Sequence, residues 1–495
     1  MYLLGLDIGS SSIKAALVKA DNGELVATAQ SPDQEMPIDA PQQGFAEQHP
    51  DLWWEHLCQA TQTLISQHNI DAQQIESVGI AYQMHGLVVV DEKQQVLRPS
   101  IIWCDSRAVS IGNKAFEEIG KETSLQHLLN SPGNFTASKL KWVKENQPEI
   151  YEKIHKIMLP GDYIAMKLTG TIATTASGLS EGTLWDFTSN KVADLVLDYY
   201  GFDKNLIPTG APTFSDQGHI HEAASLETGL PVGIPITYRA GDQPNNALAL
   251  GVLNPGEVAA TGGTSGVVYA VSDQASYDSL SRVNSFAHVN HSPLAPRIGI
   301  LLCINGAGSQ YSWIRNNLVH DKYSYPEMDQ LAEKIAPGSD GLRVFPFGNG
   351  AERMLGNEDT GGRIVNLQFN RHSHAHLYRA ALEGIAFSFV HGMEILQQMG
   401  VDVSLMRVGN DNLFRSAVFA NTISSLLESR IEMVEASGAI GAARASGVAI
   451  GRFGSIEEAV QGGNVLQTYE PTYSKDQLQL AFEAWQTELK SMIHA

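Results

Sequence analysis

The chain has 495 residues, 43% of them hydrophobic and 18% charged, with a formal net charge of -21. This length exceeds one compact core and predicts at least two domains. The acidic excess argues against nucleic acid or an anionic membrane as the main partner, because both bind a concentrated basic surface. An anionic substrate stays open, since a few local cations and backbone N–H groups can hold a phosphate.

The N-terminus and the cysteines indicate a cytoplasmic protein. The first residues include an acid, Asp7, and no basic region, unlike a signal peptide. No apolar stretch approaches the roughly 18 residues that span a bilayer. Cys58, Cys104 and Cys303 are far apart and odd in number, so they fit neither a disulfide framework nor a structural zinc site.

Helical and strand patterns alternate along the chain, which predicts an α/β fold. Asn22-Gly23 predicts a type I′ hairpin turn, and residues 456–495 are expected to form helices. The predicted strands are 2–6, 13–18, 25–28, 77–81, 87–90, 257–260 and 267–271. The predicted helices are 50–67, 108–119, 137–146, 375–399 and 413–428.

A unit of strand, glycine-rich loop and strand occurs twice. The first loop, at 9–12, reads Gly-Ser-Ser-Ser and precedes Lys14, and the second loop is at 261–266. Glycine lets backbone N–H groups approach an anion, and hydroxyls add donors. The repetition favours two related domains that hold a phosphate chain, whereas each loop by itself also fits an ordinary tight turn.

Two carboxylates follow predicted strands and could act near such a phosphate. Asp7 directly precedes the first loop, where a carboxylate is electrostatically favourable when Mg²⁺ lies between it and the phosphate. Asp242 lies between a strand pattern and a predicted helix, with Gln243 beside it. From a strand end Asp242 can reach a substrate hydroxyl as general base, or it can serve as a helix N-cap.

Two further polar segments, YQMHG at 82–86 and WCDSR at 103–107, lie after strand patterns in the first half. This combination suits a neutral polyhydroxylated ligand better than a metal. The donors, the acceptors and one flat apolar ring come from Gln83, His85, Asp105, Arg107 and Trp103.

The motifs together resemble the FGGY family of carbohydrate kinases. DIGSSSIK at 7–14 and TGGTSG at 261–266 are similar to its two phosphate loops, and RAGDQPNNAL at 239–248 to its catalytic segment. NFTASKLKWVKEN at 134–146, with Lys139 and Trp142 at the signature positions, and EGIAFSFVHGMEIL at 383–396 resemble two family signatures. The resemblance covers essentially the whole chain.

The resemblance implies two ribonuclease-H-like domains of the actin-type ATPase fold, with the active site in the cleft between them. The first domain, 1–246, would contain the sugar site and the first phosphate loop. The second, 247–495, would contain the second phosphate loop and the adenosine site. Here RVGNDNLF at 407–414 departs from the family's usual glycine triplet.

ATP and Mg²⁺ are the implied cofactors. Asp242 would be the general base and a metal-facing carboxylate, and Asp7 would hold Mg²⁺ through water. The implied ATP-binding residues are Gly9, Ser10, Ser11, Ser12, Lys14, Gly263, Thr264, Gly409 and Asn410. The implied sugar-binding residues are Gln83, Met84, His85, Trp103, Asp105, Arg107, Asp242 and Gln243.

The pair Met84-His85 suggests the branch of the family. Glycerol kinases carry an Arg-Glu pair there, whereas Met-His followed by WCDSR and GTSG is most similar to xylulokinases. The implied reaction transfers phosphate from ATP to D-xylulose, and the implied partners are the sugar, ATP and a second copy in a homodimer. Gluconate, ribulose and glycerol are alternative substrates, and a non-catalytic actin-type ATP-binding module is an alternative of another class.

Overall fold

The computed structural model describes residues 1–318, 322–410, 412–461 and 464–493. The chain groups into two units that are not continuous in sequence. The first contains Met1–Leu253, Phe286–Ile298 and Ala436–Gly463, and the second Asn254–Ser285, Gly299–Glu435 and Asn464–Ala495. The division expected between residues 246 and 247 would fall inside the helix Asp242–Ala249, which belongs to the first unit as a whole.

The first unit is built on a five-stranded sheet. Its strands are β1 (Tyr2–Ile8), β2 (Ile13–Lys19), β3 (Leu25–Ser31), β4 (Ile75–Tyr82) and β5 (Ile236–Gly241). The spatial order is β5-β4-β1-β2-β3. Strands β1, β4 and β5 are parallel, and β2 is antiparallel to both β1 and β3.

A seven-stranded sheet repeats this arrangement in the second half of the chain. Its strands are β6 (Glu257–Gly262), β7 (Gly266–Ser272), β8 (Asn284–Ala287), β9 (Ile298–Ile304), β10 (Leu405–Gly409), β11 (Ile431–Val434) and β12 (Val465–Tyr469). Their order is β8-β9-β7-β6-β10-β11-β12. Strand β6 is antiparallel to β7 and parallel to β10, just as β1 pairs with β2 and β4. The expected α/β fold with two ribonuclease-H-like, actin-type units is confirmed.

Helices cover the sheets. In the first unit they are Pro50–Gln67, Val109–Ile119, Lys121–Leu128, Thr136–Asn146, Pro148–Tyr151, Pro160–Thr169, Ala176–Glu181, Asp194–Tyr200, Glu222–Thr228, Asp242–Ala249, Gly438–Ala449 and Ile456–Val460. In the second they are Ala307–Trp313, Tyr325–Glu333, His374–Gln398, Ala417–Leu427 and Lys475–Ile493. Short two-stranded ladders pair Glu47–Gln48 with Ser100–Ile101, Val88–Val90 with Lys156–Met158, Ala173–Thr175 with Thr209–Ala211, Trp185–Asp186 with Lys191–Val192, and Arg343–Phe345 with Arg363–Val365.

The helix Gly438–Ala449 packs directly on the first sheet because two glycines face it. Gly5 and Gly79 are register partners in β1 and β4. A Cβ atom at Gly5 would lie 1.8 Å from the carbonyl oxygen of Ala439, and one at Gly79 would lie 2.0 Å from that of Ala442. The missing side chains therefore let the helix backbone touch the sheet.

Three local predictions were wrong. Gly23 has a positive φ of 68° and Asn22 does not, so the turn after β2 is not type I′, which needs both. The helix predicted at 413–428 begins at Ala417, after a 3₁₀ turn at Asn412–Arg415. Strand β12, an edge strand with four exposed residues, lies within 456–495, where only helices were expected.

Candidate active site

Three parallel strands bring the predicted catalytic and sugar-facing residues to one edge of the first sheet. Strands β1, β4 and β5 are neighbours and run in the same direction, so their carboxyl ends coincide. Asp7 is the register partner of Ala81, and Gly241 that of Tyr82. Asp7, the segment 83–85 and Asp242 therefore lie together although they are far apart in sequence.

The first predicted phosphate loop is a tight turn beside Asp7. The backbone N–H of Gly9 donates to the carbonyl of Ser12 over 3.2 Å, and Gln48 Nε2 donates to the carbonyl of Ser10 over 2.7 Å. Lys14 faces Asp7 across the β1–β2 ladder. A loop held this firmly can present its hydroxyls and N–H groups to an anion without reordering.

The surroundings of Asp7 oppose its ionisation. Burial raises the pKa of Asp7, and the charge of Lys14 partly offsets that effect. A Cβ atom at Gly438, the first residue of the helix Gly438–Ala449, would lie 2.5 Å from Asp7 Oδ2. Gly438 thus leaves room for the carboxylate, a role that no feature of the sequence indicated.

Asp242 is the first residue of the helix Asp242–Ala249, and Gly241 occupies the N-cap position. The alternative role of Asp242 as N-cap is therefore wrong. Burial first and the charge of Asp7 second raise the pKa of Asp242 to about 7, while hydrogen bonds from Gln243 lower it. A carboxylate that titrates near neutrality is suited to accept a proton from a hydroxyl.

The pair Asp7 and Asp242 fits a divalent cation. Each carboxylate is partly buried, and the charge of one disfavours ionisation of the other. A cation placed between them would remove that repulsion. Mg²⁺ binds through one or two carboxylates together with waters and phosphate oxygens, and needs no larger protein cage. The described residues contain no cluster of three or more potential metal ligands.

Gln83 and Met84 come directly after β4, at the edge of the sheet where the parallel strands end. Met84 packs on the backbone before Asp242, since a Cβ atom at Gly241 would lie 2.6 Å from Met84 Cγ. Gln83 is 2% exposed, and its side-chain amide has no hydrogen-bond partner among the described residues. An unsatisfied buried amide is costly, so Gln83 is positioned to bind a polar group that is brought by a ligand.

His85 is held in an unusual conformation. Its φ is +62°, in the left-handed region that non-glycine residues rarely adopt. Its ring lies between those of Phe135, 4.8 Å away, and Phe286, 5.3 Å away. Its Nδ1 lies 2.8 Å from the carbonyl oxygen of Glu181. Strained residues of this kind cluster at functional sites.

Of the three predicted sugar-binding residues in the segment WCDSR, one is exposed and two have buried side chains. Trp103 is 53% exposed, and its Nε1 donates to Ser10 Oγ over 3.2 Å, which joins the sugar-facing segment to the first loop. The side chains of Asp105 and Arg107 are buried and form a salt bridge with each other. Arg107 forms a second salt bridge with Glu47. Their geometry favours a structural role over the predicted contact with the sugar.

Glu181 is a buried carboxyl group near the site that sequence reasoning missed. It is 1% exposed, and its Oε2 would lie 2.6 Å from a Cβ atom at Gly241. Burial, together with the charges of Asp242 and Asp162, raises its pKa well above the usual range. No motif marks SEGT at 180–183, so the sequence offered no signal for this residue.

The second predicted phosphate loop borders a cavity of about 860 Å³ in the second unit. Gly263 and Thr264 line one side, and their carbonyls accept hydrogen bonds from the N–H groups of Gly308 and Ser309. The stacked rings of Tyr311 and Tyr325 line another part, with centroids 5.7 Å apart. The cavity is large enough for a nucleotide and combines polar loops with flat rings.

The loop at 407–414 reaches this cavity at its end, where Leu413 is one of the lining residues. Gly409 ends β10, and Gly409 and Asn410 are not among the residues that line the cavity. Arg415 does line it, and donates to the Oδ1 and carbonyl oxygens of Asn410 over 3.1 and 2.9 Å. Asp411, in the same loop, lies outside the described residues.

None of the described helices is long and apolar enough to cross a membrane.

Comparisons with known proteins agree with this architecture. Residues 2–249 match the N-terminal domain of the FGGY family of carbohydrate kinases, and residues 258–450 match its C-terminal domain. Over 471 residues the chain is 28% identical to the xylulose kinase of Bacillus subtilis, with coverage of 93% of this chain and 90% of that protein.

Solved structures show the same fold. The xylulose kinase from Rhodospirillum rubrum superimposes with a TM-score of 0.89 at 25% identity, over 100% of both chains. The gluconate kinase from Lactobacillus acidophilus gives a TM-score of 0.88 at 20% identity, over 99% of this chain and 98% of that one. The fold is thus shared by kinases with different named substrates. This chain belongs to the FGGY family of carbohydrate kinases.

Proposed function

We propose that this sugar kinase transfers the γ-phosphate of ATP to D-xylulose, giving D-xylulose 5-phosphate and ADP, with Asp242 as the general base. The observation that carries the proposal is the position of Asp242 at the end of β5, at the sheet edge where the segment 83–85 follows the neighbouring strand β4. Its carboxyl group follows a strand end, and its pKa is raised to about 7. The Met-His pair and the relatives named xylulose kinases support D-xylulose as the acceptor.

In this mechanism the sugar hydroxyl attacks the γ-phosphorus. Asp242 accepts the hydroxyl proton as the new O–P bond forms, and the bond to the ADP oxygen breaks. His85 carries a proton on Nδ1, which faces the carbonyl of Glu181, and its Nε2 is the proposed contact for a sugar hydroxyl. Gln83 and Gln243 offer amide groups, and the exposed face of Trp103 offers a flat wall for the carbon chain.

Phosphate and cation binding follow from the two loops and the two carboxylates. The proposed phosphate ligands are the N–H and hydroxyl groups of 9–12, Lys14, Gly263 and Thr264. Asp7 and Asp242 would hold Mg²⁺, which supplies charge neutralisation of the transferred phosphoryl group when bound. We keep Gly409 and Asn410 as proposed nucleotide neighbours, because Asn410 holds the cavity-lining Arg415.

The substrate test is ATP-dependent phosphorylation across D-xylulose, D-ribulose, L-xylulose, gluconate and glycerol. A clear preference for D-xylulose, measured as kcat/KM from ADP release, supports the proposal. A preference for gluconate or another sugar would keep the kinase and discard the assignment of Met84-His85. Absence of turnover with every sugar, despite bound ATP, would favour a non-catalytic ATP-binding module.

The base is tested with Asp242→Asn. The expected loss in kcat is about 10²–10⁴-fold, the usual contribution of a general base, with sugar affinity within a few-fold of wild type. Asp198→Asn, at an exposed position of the helix Asp194–Tyr200, is the matched control and should leave kcat unchanged. Full activity of Asp242→Asn would remove the assigned base.

The homodimer and the cytoplasmic location also stay proposals. Light scattering on the purified chain measures the first, and fractionation of cells that express it measures the second. A monomer at working concentrations would overturn the dimer without affecting the assignment of the reaction.

A further inference from the structure

Lys139 links the two polar segments that face the proposed sugar site. It lies in the helix Thr136–Asn146, and the residue is 0% exposed. Its Nζ donates to the carbonyl oxygen of His85 over 2.9 Å and to that of Ile102 over 3.0 Å. One side chain therefore bonds the backbone of YQMHG and the backbone immediately before Trp103.

Neighbours of Lys139 in sequence contact the same two segments. The ring of Phe135 packs edge-on against that of His85, and Asn134 Nδ2 donates to the carbonyl of Asp105. Thr136 Oγ1 donates to the carbonyl of Gly86 over 3.4 Å. We call residues 134–139 the bracket, because they contact both segments along the start of one helix.

Keeping an amine at this position is costly. Burial lowers the pKa of Lys139 to about 7, and the charge of Asp105 opposes that shift. Among the described residues Lys139 forms no ion pair within 4.0 Å. The hydrogen bonds to the two carbonyl oxygens therefore offset the cost of burying the amine of Lys139. Both an ammonium group and a neutral amine can donate these hydrogen bonds.

We propose that Lys139 is a positioning residue for the sugar. By bonding the carbonyls of His85 and Ile102, it fixes the separation of the His85 ring from the Trp103 ring, and so sets the affinity for the acceptor. The proposal rests on the proposed function insofar as these two rings bind the sugar. Lys139 itself touches neither reactant, because its side chain is enclosed.

The first test compares Lys139→Met with Lys141→Met on the same helix. Lys141 forms a partly exposed i,i+4 pair with Glu145 and donates to neither segment. With Lys139→Met we expect the KM for the sugar to rise roughly tenfold or more, since two hydrogen bonds are lost, and the KM for ATP to stay within about twofold. A wild-type sugar KM, or an equal rise in both constants, would overturn the proposal.

The second test does not depend on turnover. Cys104 is exposed and lies two residues after Ile102. In a Cys58→Ser, Cys303→Ser background, the rate of Cys104 modification by a thiol reagent reports the order of this segment. We expect Lys139→Met to raise that rate several-fold and Lys141→Met to leave it unchanged. Burial raises the pKa of the Cys104 thiol and the charge of Lys139 lowers it, so the rates are compared per thiolate, from their pH dependence. An unchanged thiolate rate in Lys139→Met would contradict the positioning role.

These two readouts separate the possible failures. If wild type phosphorylates no sugar, the proposed function fails, while the Cys104 rates still decide whether Lys139 orders the segment. If Lys139→Met does not fold, Lys139→Gln provides the decision, because its shorter amide keeps a buried donor but cannot bond the carbonyls of both His85 and Ile102. A sugar KM and a Cys104 rate equal to wild type in Lys139→Gln would then overturn the proposal, and an increase in both would support it.

Discussion

Nδ1 of His85 lies 2.8 Å from the carbonyl oxygen of Glu181, and a carbonyl can only accept. The ring nitrogen must therefore carry the proton, which makes Nε2 the acceptor in the neutral ring. The helix Ala176–Glu181 that supplies this carbonyl is tied in place by Ser177 and Ser180, whose hydroxyls bond the backbone of Ala287. The tautomer of His85 is thus set by tertiary contacts.

His85→Asn tests this tautomer. The Asn amide can still donate towards the carbonyl of Glu181, but it has no counterpart of Nε2. We expect the KM for the sugar to rise about 10–100-fold, as for a lost polar contact in a buried site, with thermal stability close to wild type. Steady-state kinetics and a thermal melt measure both effects. An unchanged sugar KM would exclude Nε2 as a sugar ligand.

Gly241→Ala should disturb the packing of Met84 and Glu181 next to the proposed sugar site. The new Cβ atom would lie 2.6 Å from both Met84 Cγ and Glu181 Oε2, so at least one side chain must move. We expect a loss of about 1–3 kcal/mol in stability and a higher sugar KM. The control is Gly210→Ala, where no atom lies within 4 Å of the added methyl group and no change is expected.

The rate should depend on the protonation of Asp242. The base accepts a proton only when deprotonated, and its pKa is raised to about 7 by burial and by Asp7. We therefore expect kcat/KM to fall about tenfold per pH unit below that value and to level off above it. The residual rate of Asp242→Asn should lack this dependence. A profile that is flat from pH 5.5 to 8, about 1.5 units below and one above this pKa, would contradict the assignment.

Gly308→Ala should weaken nucleotide binding selectively. A Cβ atom there would lie 2.3 Å from the carbonyl oxygen of Gly263 and would push the second loop out of place. We expect the KM for ATP to rise about tenfold or more, with the sugar KM unchanged. Gly362→Ala, whose new contacts are all at 3.5 Å or longer, is the control. Equal changes in both variants would argue against the loop as a phosphate ligand.

Arg107→Met distinguishes a structural from a sugar-binding role. Its removal leaves Asp105 and Glu47 with one fewer partner in a buried network, which should cost about 3–5 kcal/mol of stability. Lys121→Met, which breaks an exposed pair with Glu117, should cost at most about 0.5 kcal/mol. Denaturant unfolding measures both. A stable Arg107→Met variant that has lost sugar affinity would restore the contact predicted from sequence.

The order of the strands and long helices could be predicted because hydrophobic periodicity is local. The helix Pro50–Gln67 has the predicted bounds, and β1 and β2 differ from prediction only at their ends. One error arose where the local signal was weak. Strand β12 is too short and polar for its pattern to stand out. The turn at Asn22-Gly23 is an error of another kind, since the signal was strong but the β2–β3 pair contains a register shift between Leu17 and Val18 that the sequence does not indicate.

The sequence by itself determined the candidate residues for the chemistry. Motif order placed Asp7, the glycine-rich loops and Asp242 at strand ends, and strand ends of parallel sheets meet at one edge. Only the tertiary structure decided which polar residues are available to a ligand. Asp105 and Arg107 pair with each other, whereas Glu181 and Lys139 reach the site from helices far along the chain. Burial and pairing depend on packing between distant segments, and no local pattern records them.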